Sequence, residues 1–438
     1  VAVSCFWHSL VGIDSEGRAV TPLFGWADTR AARWTEELLR RFDEGAAHAR
    51  TGCRFHSSYW PARLLWLREE RADAYHCARR WMSFGEFLLL RFFGAIEASV
   101  SMASGTGLLN LRSCDWDEEL LAGLEIAVDQ LPEIAPARRS FRGLAKDYAR
   151  RWPALNGARW FPAVGDGAAN NIGAGCVTPA RVALMVGTSG AMRVLSRDEP
   201  PEQLPAALWC YRADRERVVL GGALSDGGGL YAWMKEALEL GRDEQAMMLE
   251  LAAMEADAHG LTLLPFWAGE RSPGWAMRAR GAILGLGMHT RPVEILRAAM
   301  EAVAYRFALI DRALGPFAPR AEIVASGGAL LASPVWAQII ADALGRPVKL
   351  SGLKEASSRG AVLLALEATG KISCIEDAPA PLAGVYEPDM ARHERYLVGL
   401  ERQQKLYEHL VADGEIARSI YGAGDEEEEG ASVAPRGE

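Results

Sequence analysis

No stretch of eighteen consecutive apolar residues occurs in this sequence, so nothing in it predicts a membrane-spanning helix. A Gly-x4-Gly-Lys-Ser/Thr motif is also missing, which excludes nucleotide binding by a P-loop of the Walker A type. Positive charge is in deficit, because 48 lysines and arginines face 57 aspartates and glutamates and leave a net charge of -9. That deficit argues against a general nucleic-acid surface, so we expect neither a membrane nor a nucleic acid as a partner.

Cysteine is sparse and scattered along the chain. The seven cysteines form no Cys-x-x-Cys pair and no Cys/His cluster with zinc spacing, which excludes the common zinc modules. A lone cysteine is most often a small core residue, so we expect none of them to be catalytic. An odd, dispersed set is typical of a reducing compartment, and we expect a cytoplasmic protein. The cysteines stand at positions 5, 53, 77, 114, 176, 210 and 374.

The chain contains enough apolar residues for more than one core. With 438 residues, of which 50% are apolar and 24% charged, it predicts two or three globular domains. Residues 422–438 are an exception, since five consecutive acidic residues occupy positions 425–429 and are followed by small residues. Such a run cannot bury itself, so we predict a solvated, disordered tail there.

Units of strand, glycine turn and helix recur in the second half of the chain. Residues 181–186 and 322–326 are apolar enough for buried strands, and each is followed by glycine. A long helix is predicted over residues 293–314, whose apolar side chains recur every three or four positions. We also predict a strand over residues 1–13. The alternation of strands and helices predicts an α/β fold.

Asp166 is the first candidate for chemistry. It stands in a glycine-flanked loop, residues 163–173, that continues as a helix of small residues. Glycines on both sides let the backbone turn sharply and keep the carboxylate clear of neighbouring side chains. A loop carboxylate of this kind can act as a general base toward a substrate hydroxyl. The alternative is an ordinary helix cap.

Two glycine turns are candidates for nucleotide binding. Residues 187–190, Gly-Thr-Ser-Gly, follow a predicted strand and offer backbone amides and two hydroxyls to phosphate oxygens. Their alternative is a plain turn between strands. Gly327 and Gly328 bring the backbone close to a flat or charged ligand, or else form a tight turn with positive φ. A carboxylate base beside a phosphate-binding turn is the equipment of phosphoryl transfer.

A few polar residues are candidates for contacts with a sugar. His8 ends the first predicted strand, and Asp28 and Arg30 stand at the start of a predicted helix. These groups are able to converge on a polyol, and the alternative is a structural role for each. Residues 269–273, Gly-Glu-Arg-Ser-Pro, form a polar turn, for which the alternative is an ion pair that fixes the loop.

The order of these motifs resembles that of the FGGY carbohydrate kinases, the family of glycerol kinase, xylulokinase and gluconokinase. The resemblance extends from residue 1 to about residue 372, and stretches at 58–66, 104–112, 336–342 and 355–361 share it. The motifs run in the order His8, Trp-x-Asp-x-Arg at 26–30, Gly-Asp-Gly at 165–167, Gly-Thr-Ser at 187–189, Gly-Gly-Gly at 227–229, Gly-Glu-Arg-Ser-Pro at 269–273 and Ser-Gly-Gly-Ala at 326–329.

This likeness implies a two-domain actin/Hsp70/sugar-kinase (ribonuclease H-like) architecture, with ATP and sugar in the cleft between the domains. The N-terminal, sugar-binding domain is expected at 1–178 and the C-terminal, nucleotide-binding domain at 179–421. The resemblance gives Asp166 the role of catalytic base and of a Mg²⁺ ligand. It places His8, Trp26, Asp28 and Arg30 around the sugar, and Gly187, Thr188, Ser189, Gly228, Gly327 and Gly328 around the nucleotide.

Within the family the chain is most similar to gluconokinase, with xylulokinase next. Gly167 follows the expected catalytic aspartate, and residues 7–9 are Trp-His-Ser, similar to the Met-His-Ser of gluconokinases. The expected activity is therefore ATP-dependent phosphorylation of a sugar or a sugar acid such as gluconate. A carboxylate substrate needs a cation, and Arg30 is the candidate. The sequence is compatible with a homodimer.

One family element has no counterpart in the sequence. FGGY kinases open with a hairpin carrying Asp-x-Gly-Thr/Ser, which helps to hold Mg²⁺ and the ATP phosphates, and this motif is missing here. We expect an N-terminally truncated kinase with an incomplete first domain and a first strand without neighbours. Since a weakened phosphate site lowers catalysis, one alternative is a kinase relic that binds sugar or nucleotide without turnover. Another is an actin/Hsp70-like ATPase with a protein partner.

Overall fold

The computed structural model describes residues 1–240 and 243–412. The predicted acidic tail at 422–438 lies outside the described residues, as does the part of the predicted second domain beyond residue 412. Within the described ranges, no helix is both long and apolar enough to cross a bilayer. All seven cysteines are free thiols.

The longest strands among the described residues lie in the second half of the chain. The strands of the described residues, numbered β1 to β17 in chain order, are Ser4–Cys5, Val11–Ile13, Arg80–Met82, Glu97–Ala98, Leu109–Asn110, Asp115–Trp116, Glu133–Ile134, Val164–Gly165, Arg181–Val186, Gly190–Ser196, Trp209–Arg212, Val218–Leu224, Thr262–Leu264, Ala282–Leu284, Glu322–Ser326, Val348–Ser351 and Leu382–Tyr386.

Helices occur throughout the described residues. The α-helices of the described residues, numbered α1 to α17, are Trp34–Arg41, Glu44–Thr51, Trp60–Glu70, Ala72–Cys77, Phe84–Phe93, Val100–Ser104, Glu118–Leu124, Lys146–Arg151, Pro153–Asn156, Asp166–Gly173, Gly228–Ala237, Glu244–Ala253, Pro292–Leu314, Gly328–Leu331, Pro334–Leu344, Ala356–Ala368 and Met390–Tyr407. Short 3-10 turns occupy Val128–Gln130 and Ile375–Asp377, and a π-helical turn occupies Glu408–Ala412.

A seven-stranded mixed sheet organises the second half of the chain. Its order is β11-β12-β10-β9-β15-β16-β17. Strand β9 is parallel to β15, and β10 is antiparallel to both β9 and β12. Strands β9, β12 and β15 therefore run in the same direction, and the turns that follow them lie at one edge of the sheet. In sheets of this kind, ligands bind outside the carboxyl ends of the strands.

The sheet is covered by the long helix α13. The sequence predicts this helix over 293–314, and the structure confirms it at Pro292–Leu314. Its apolar stripe includes Leu296, Val303, Phe307 and Ile310, each almost fully buried in the same core as the central strands. Because β9, β10 and β12 are buried along nearly their whole length, they are apolar runs without strict alternation.

The first half of the chain begins differently from the prediction. The strand predicted over residues 1–13 is wrong, because the structure has two short strands, β1 and β2, separated by a turn. His8 in this turn has φ 65°, a left-handed conformation that interrupts a strand. The expectation of a first strand without neighbours is also wrong, since β1 pairs in parallel with β8, joining Cys5 to Gly165.

The two halves meet at a very close crossing of helices α10 and α16. A Cβ atom on Gly173 would lie 1.7 Å from the carbonyl oxygen of Ala356, and one on Gly360 would lie 1.9 Å from that of Ala169. Neither glycine has a positive φ, so glycine is needed for contact between the two helix backbones. Arg359 adds a hydrogen bond of 2.7 Å to the carbonyl oxygen of Gly173. This crossing holds α10 against the second half of the chain.

Candidate active site

The pairing of β1 with β8 brings the first and second candidate motifs together. In a parallel pair both strands end at the same edge, so the residues that follow them become neighbours. Trp7 and His8 follow β1, and Asp166 follows β8 as the first residue of α10. The turn at His8 and the start of the small-residue helix therefore form one side of a single site.

Glycine is needed on either side of Asp166 for a different reason from the predicted one. Neither Gly165 nor Gly167 has a positive φ, so the backbone does not need glycine to turn there. A Cβ atom on Gly165 would lie 1.9 Å from the ring of Trp7, and one on Gly167 would lie 2.4 Å from it. The two glycines make room for the indole of Trp7, which is fixed by a 2.8 Å hydrogen bond from its Nε1 to the carbonyl oxygen of Ser101.

Asp166 is exposed to the cavity, and the protein around its carboxylate changes its pKa. Its Oδ1 accepts a 2.8 Å hydrogen bond from the amide of Gly167, at the positive end of α10. Burial of the carboxylate by its surroundings raises its pKa, while the charges of Arg193 and Arg271 and two backbone amides act in the opposite direction. The raised pKa makes Asp166 a stronger base than an ordinary aspartate, as a general base requires.

Three glycine turns converge at the carboxyl ends of β9, β12 and β15. Gly187 begins the tight turn between β9 and β10, and its carbonyl oxygen accepts a 2.8 Å hydrogen bond from the amide of Gly228. A Cβ atom on Gly228 would lie 2.6 Å from Ala329, just after the third turn. Gly327 has φ 99° and lies against the carbonyl oxygen of Val186, so the tight-turn alternative is confirmed for it.

The turn at 187–190 keeps unused hydrogen-bond donors. Within the described part of the chain, the hydroxyls and backbone amides of Thr188 and Ser189 donate to no protein group. Gly328 is exposed, and no atom lies within 4 Å of the position of its missing Cβ. The amide of Gly228, in contrast, is already donated to Gly187. Free amides and hydroxyls beside exposed glycine backbone are suited to phosphate oxygens.

Asp166 and the last two residues of this turn, Ser189 and Gly190, line one cavity between the two halves of the chain. The other predicted nucleotide residues lie outside its lining, namely Gly187, Thr188, Gly228, Gly327 and Gly328. The cavity holds about 620 Å³ including its open mouth. Its lining is rich in aromatic rings, which suit the C–H faces of a sugar, and it contains a single acid. It is lined by Trp7, His8, Trp26, Ser58, Tyr59, Asp166, Met185, Ser189, Gly190, Ala191, Arg193, Trp209, Tyr211, Ala223, Arg271 and Trp275.

His8 is a neutral hydrogen-bonding group in this cavity. Burial lowers the pKa of His8 to about 3, and nearby arginines contribute to the same shift. Its Nδ1 lies 2.5 Å from the carbonyl oxygen of Gly105, which can only accept, so Nδ1 carries the proton. The remaining Nε2 is then an acceptor for a hydroxyl. Tyr59 packs edge-on against His8, and its hydroxyl lies 2.5 Å from that of Tyr211.

Asp28 and Arg30 are not brought to the cavity, whereas Trp26 lines it. The predicted helix start at these residues is wrong, because α1 begins at Trp34. Arg30 donates to Asp28 over 2.5 and 3.0 Å and stacks its guanidinium on the ring of Trp66 at 4.9 Å. The charges of Asp28 and Arg30 are therefore paired with each other, outside the lining of the cavity.

Arg193 and the aromatic pair Trp209 and Tyr211 are cavity residues that the sequence motifs did not indicate. Arg193 lies within the apolar strand β10 and is buried there, which lowers its pKa to about 10. Its Nε donates to the side-chain oxygen of Asn171 over 3.2 Å. A buried charge in an apolar strand is unusual enough to mark a site from sequence alone. The two aromatics, spaced two apart on β11, face one side of the sheet.

The Gly-Glu-Arg-Ser-Pro turn divides its charged residues between two roles. Glu270 is buried and paired with Arg306, and it also accepts a 2.8 Å hydrogen bond from the hydroxyl of Tyr407. The alternative of an ion pair that fixes the loop is therefore confirmed for Glu270. The next residue, Arg271, lines the cavity instead.

One other group of acids and histidine in the described ranges is close enough to hold a metal, but it is already satisfied. Asp257, His259 and Glu301 bring their ligand atoms within 4.8 Å of one another. Arg402 donates to Asp257 over 2.5 and 3.0 Å, and Arg297 donates to Glu301 over 2.6 Å. These guanidiniums supply the positive charge, so the group is a buried ion network that ties α17 to α13.

Comparison with known proteins identifies the class of this fold and site. Residues 1–173 match the N-terminal domain of the FGGY family of carbohydrate kinases, and residues 182–369 match its C-terminal domain. A glycerol kinase from Aromatoleum aromaticum is 30% identical, over 87% of this chain and 78% of its own length. The gluconokinase of Bacillus subtilis is 28% identical, over 91% of this chain and 80% of its own length. The chain therefore belongs to the FGGY family of carbohydrate kinases.

A solved structure extends this match to the fold. The gluconate kinase from Lactobacillus acidophilus has a TM-score of 0.85 at 27% identity, covering 93% of this chain and 84% of that one. The predicted two-domain sugar-kinase fold is thus confirmed, and the protein is a carbohydrate kinase that uses ATP. This sets aside the alternative of an actin/Hsp70-like ATPase. The match of the N-terminal domain from residue 1 does not confirm a missing hairpin, which stays a prediction.

Proposed function

We propose that this kinase phosphorylates a hydroxyl of a sugar acid of the gluconate type, with Asp166 as the general base. The observation that carries the proposal is that one cavity is lined by Asp166 and by Ser189 and Gly190 of the turn at 187–190. A base on one wall and phosphate-binding groups on the other is the arrangement that phosphoryl transfer needs, since that reaction depends chiefly on positioning. The similarity to two enzymes named for gluconate supports the choice of substrate.

The proton transfer is assigned to Asp166. Its carboxylate takes the proton from the substrate hydroxyl while that oxygen forms a bond to the γ-phosphorus of ATP. The bond from this phosphorus to the bridging oxygen breaks, and ADP leaves with the electron pair. The raised pKa of Asp166 favours proton uptake, and Arg193 opposes a further rise that would leave the acid protonated at rest.

The nucleotide is assigned to the glycine turns. Thr188 and Ser189 offer unused amides and hydroxyls to the phosphates, and Gly187 keeps this turn tight. Gly228 supports the turn through its hydrogen bond to Gly187. The exposed backbone at Gly328, after the positive-φ residue Gly327, would lie against the adenosine. We keep 1–178 and 179–421 as the proposed limits of the two domains.

Mg²⁺ fits the donors of this site with Asp166 as its protein ligand. Asp166 is the one acid among the residues that line the cavity. Protein-bound Mg²⁺ commonly takes one or two carboxylates and completes its six ligands with phosphate oxygens and water. When bound, the ion would neutralise charge on the transferring phosphate.

The sugar is assigned to the aromatic side of the cavity. His8 is neutral and offers an acceptor to a hydroxyl, and Trp26 offers a ring face. The sequence-based proposal that Asp28 and Arg30 bind the sugar directly has no support from their positions outside the cavity lining. They form a local ion pair with each other instead.

We expect gluconate to be the preferred acceptor when ATP-dependent phosphorylation is measured with gluconate, xylulose, ribulose and glycerol. The measurement is ADP release in a coupled assay, with the product identified by mass spectrometry. Preference for a neutral sugar would refute the choice of substrate while leaving the kinase assignment intact. Binding of gluconate by calorimetry without any ADP release would instead favour the kinase relic.

Substitution of Arg193→Met is expected to move the acid limb of the kcat/KM profile to higher pH. Asp166 must be ionised to accept a proton, burial already raises its pKa, and Arg193 is the strongest group that opposes this rise. Removing the guanidinium therefore leaves the base protonated over a wider pH range. The control is Arg193→Lys, which keeps a positive charge and is expected to stay close to wild type. An unmoved limb in the Met variant would contradict the assigned role.

A further inference from the structure

The cavity carries more positive charge than its own residues need. Two guanidiniums, Arg193 and Arg271, and one carboxylate, Asp166, line it. Considering residues 1–240 and 243–412, no carboxylate oxygen lies within 4.0 Å of either guanidinium. His8 and His56 are neutral, since burial lowers the pKa of each to about 3. An uncompensated buried charge is costly, so an excess of this kind indicates an anionic ligand.

The guanidinium of Arg193 is partly used by the protein itself. Its Nε and one terminal nitrogen donate to the side chains of Asn171 and Asn170 over 3.2 and 3.3 Å. Both asparagines belong to α10, the helix that begins with Asp166. Arg193 is therefore bound to the wall that carries the base, whereas the guanidinium of Arg271 has no side-chain acceptor among the described residues.

Arg271 is nearly unsatisfied by the protein. In the described part of the chain its guanidinium makes a single hydrogen bond, from one terminal nitrogen to the carbonyl oxygen of Leu224 over 2.9 Å. Its buried Nε makes no hydrogen bond there. An arginine offers five N–H donors in a rigid planar fork, which matches the two oxygens of a carboxylate. Most of the N–H donors of Arg271 therefore have no acceptor among the described residues.

The surroundings of Arg271 hold it in place before any ligand binds. Its guanidinium lies 4.6 Å from the centre of the Trp26 ring, which stabilises its charge by a cation–π contact. The loop itself is fixed by the ion pair of Glu270 with Arg306. A 2.9 Å hydrogen bond from the amide of Ser272 to the carbonyl oxygen of Ala223 ties it to the sheet. A cation fixed in this way loses little entropy on binding a carboxylate.

We propose that Arg271, supported by Trp26, binds the carboxylate of the sugar acid and selects acids over neutral polyols. This rests on the proposed function, and it replaces Arg30, which is paired with Asp28 outside the cavity. Arg271 acts on substrate choice while Asp166 acts on the transferred proton. Besides its proposed contact with the sugar, Trp26 positions Arg271, because its ring contacts the guanidinium.

The test compares gluconate with glucitol, in which a neutral CH2OH group replaces the carboxylate. Wild type is expected to prefer gluconate. In Arg271→Gln, kcat/KM for gluconate should fall by roughly 10²–10³-fold, chiefly through KM, because the carboxylate loses a desolvated charge partner. The value for glucitol should change little. Arg271→Lys should restore only part of the preference, since it keeps the charge but loses the fork. Thermal unfolding of each variant checks that the fold is intact.

Two further variants make the result specific. Arg280→Gln removes an exposed arginine a few residues away, whose two hydrogen bonds go to backbone carbonyls, and should keep the preference for gluconate. Loss of the preference in Arg30→Gln, with Arg271→Gln unaffected, would overturn the proposal. So would a wild-type enzyme that prefers glucitol or other neutral sugars.

Binding measurements separate this inference from the proposed function. Calorimetry with Asp166→Asn, alone and combined with Arg271→Gln, measures gluconate affinity without turnover. Weaker gluconate binding only in the double variant supports Arg271 as the carboxylate partner, even if no sugar in the panel is phosphorylated. Equal gluconate affinity in the two variants overturns it, even if gluconate proves to be the substrate.

Discussion

Replacing Asp166 by asparagine is expected to lower kcat by roughly 10²–10⁴-fold, the usual contribution of a positioned general base. The amide has nearly the same shape as the carboxylate but cannot take the hydroxyl proton. Because the sugar contacts assigned above lie on other residues, KM for the sugar should change much less than kcat. The measurement is steady-state turnover at saturating ATP with the acceptor found in the substrate panel.

The same substitution is expected not to destabilise the fold. The pKa of Asp166 is raised in the folded protein, so its ionised form is disfavoured there relative to the unfolded chain. The resulting cost in the free energy of unfolding is present above the raised pKa and disappears below the ordinary pKa of an aspartate. Asparagine removes that cost, so Tm at neutral pH should be equal to or above the wild-type value. The difference should vanish in acid.

A matched control distinguishes this effect from loss of any aspartate. Asp198 is exposed, and Asp198→Asn should change neither kcat nor Tm. Near-wild-type turnover in Asp166→Asn would exclude Asp166 as the base. A large fall in Tm together with lost turnover would indicate that the carboxylate serves the fold rather than the reaction.

The sequence was sufficient to predict the class of fold and the two main walls of the site. The order of the glycine motifs predicted a two-domain sugar kinase, and family comparison confirms it. Asp166 and the turn at 187–190 were both predicted as site residues, and Asp166 shares a cavity with Ser189 and Gly190 of that turn. These features depend on short local motifs, in which each residue is constrained by its near neighbours.

The rest of the site depends on contacts between distant segments, which local motifs do not reveal. Strands β1 and β8 have two residues each and are separated by more than half of the first domain, so no periodicity marks their pairing. The pairing places Trp7 against Gly165, which explains a glycine that the sequence attributed to a turn. The sequence predicted Arg30 as the cation for a carboxylate substrate, but Arg30 is two residues from Asp28 and forms a local ion pair with it.

A second large effect is expected at the crossing of α10 and α16, far from any ligand. In Gly360→Ala the new Cβ would lie 1.9 Å from the carbonyl oxygen of Ala169, and real Cβ contacts are essentially never shorter than 3.0 Å. The two helices must therefore move apart. Alanine is otherwise the better helix former by about 1 kcal/mol. The substitution should nevertheless destabilise the protein by about 1–3 kcal/mol, the usual cost of overpacking.

The separation of the helices is expected to displace the catalytic base, because Asp166 is the first residue of α10. A misplacement of about 1 Å can cost 10²-fold in rate, so kcat of Gly360→Ala should fall by roughly that factor while ATP still binds. Denaturant unfolding and steady-state kinetics measure the two effects on the same preparation. The control is Gly384→Ala, at a glycine with open space around it and no positive φ, which should retain kcat and lose little stability. An unchanged or raised stability in Gly360→Ala would show that the crossing tolerates separation, and that α10 does not set the position of the base.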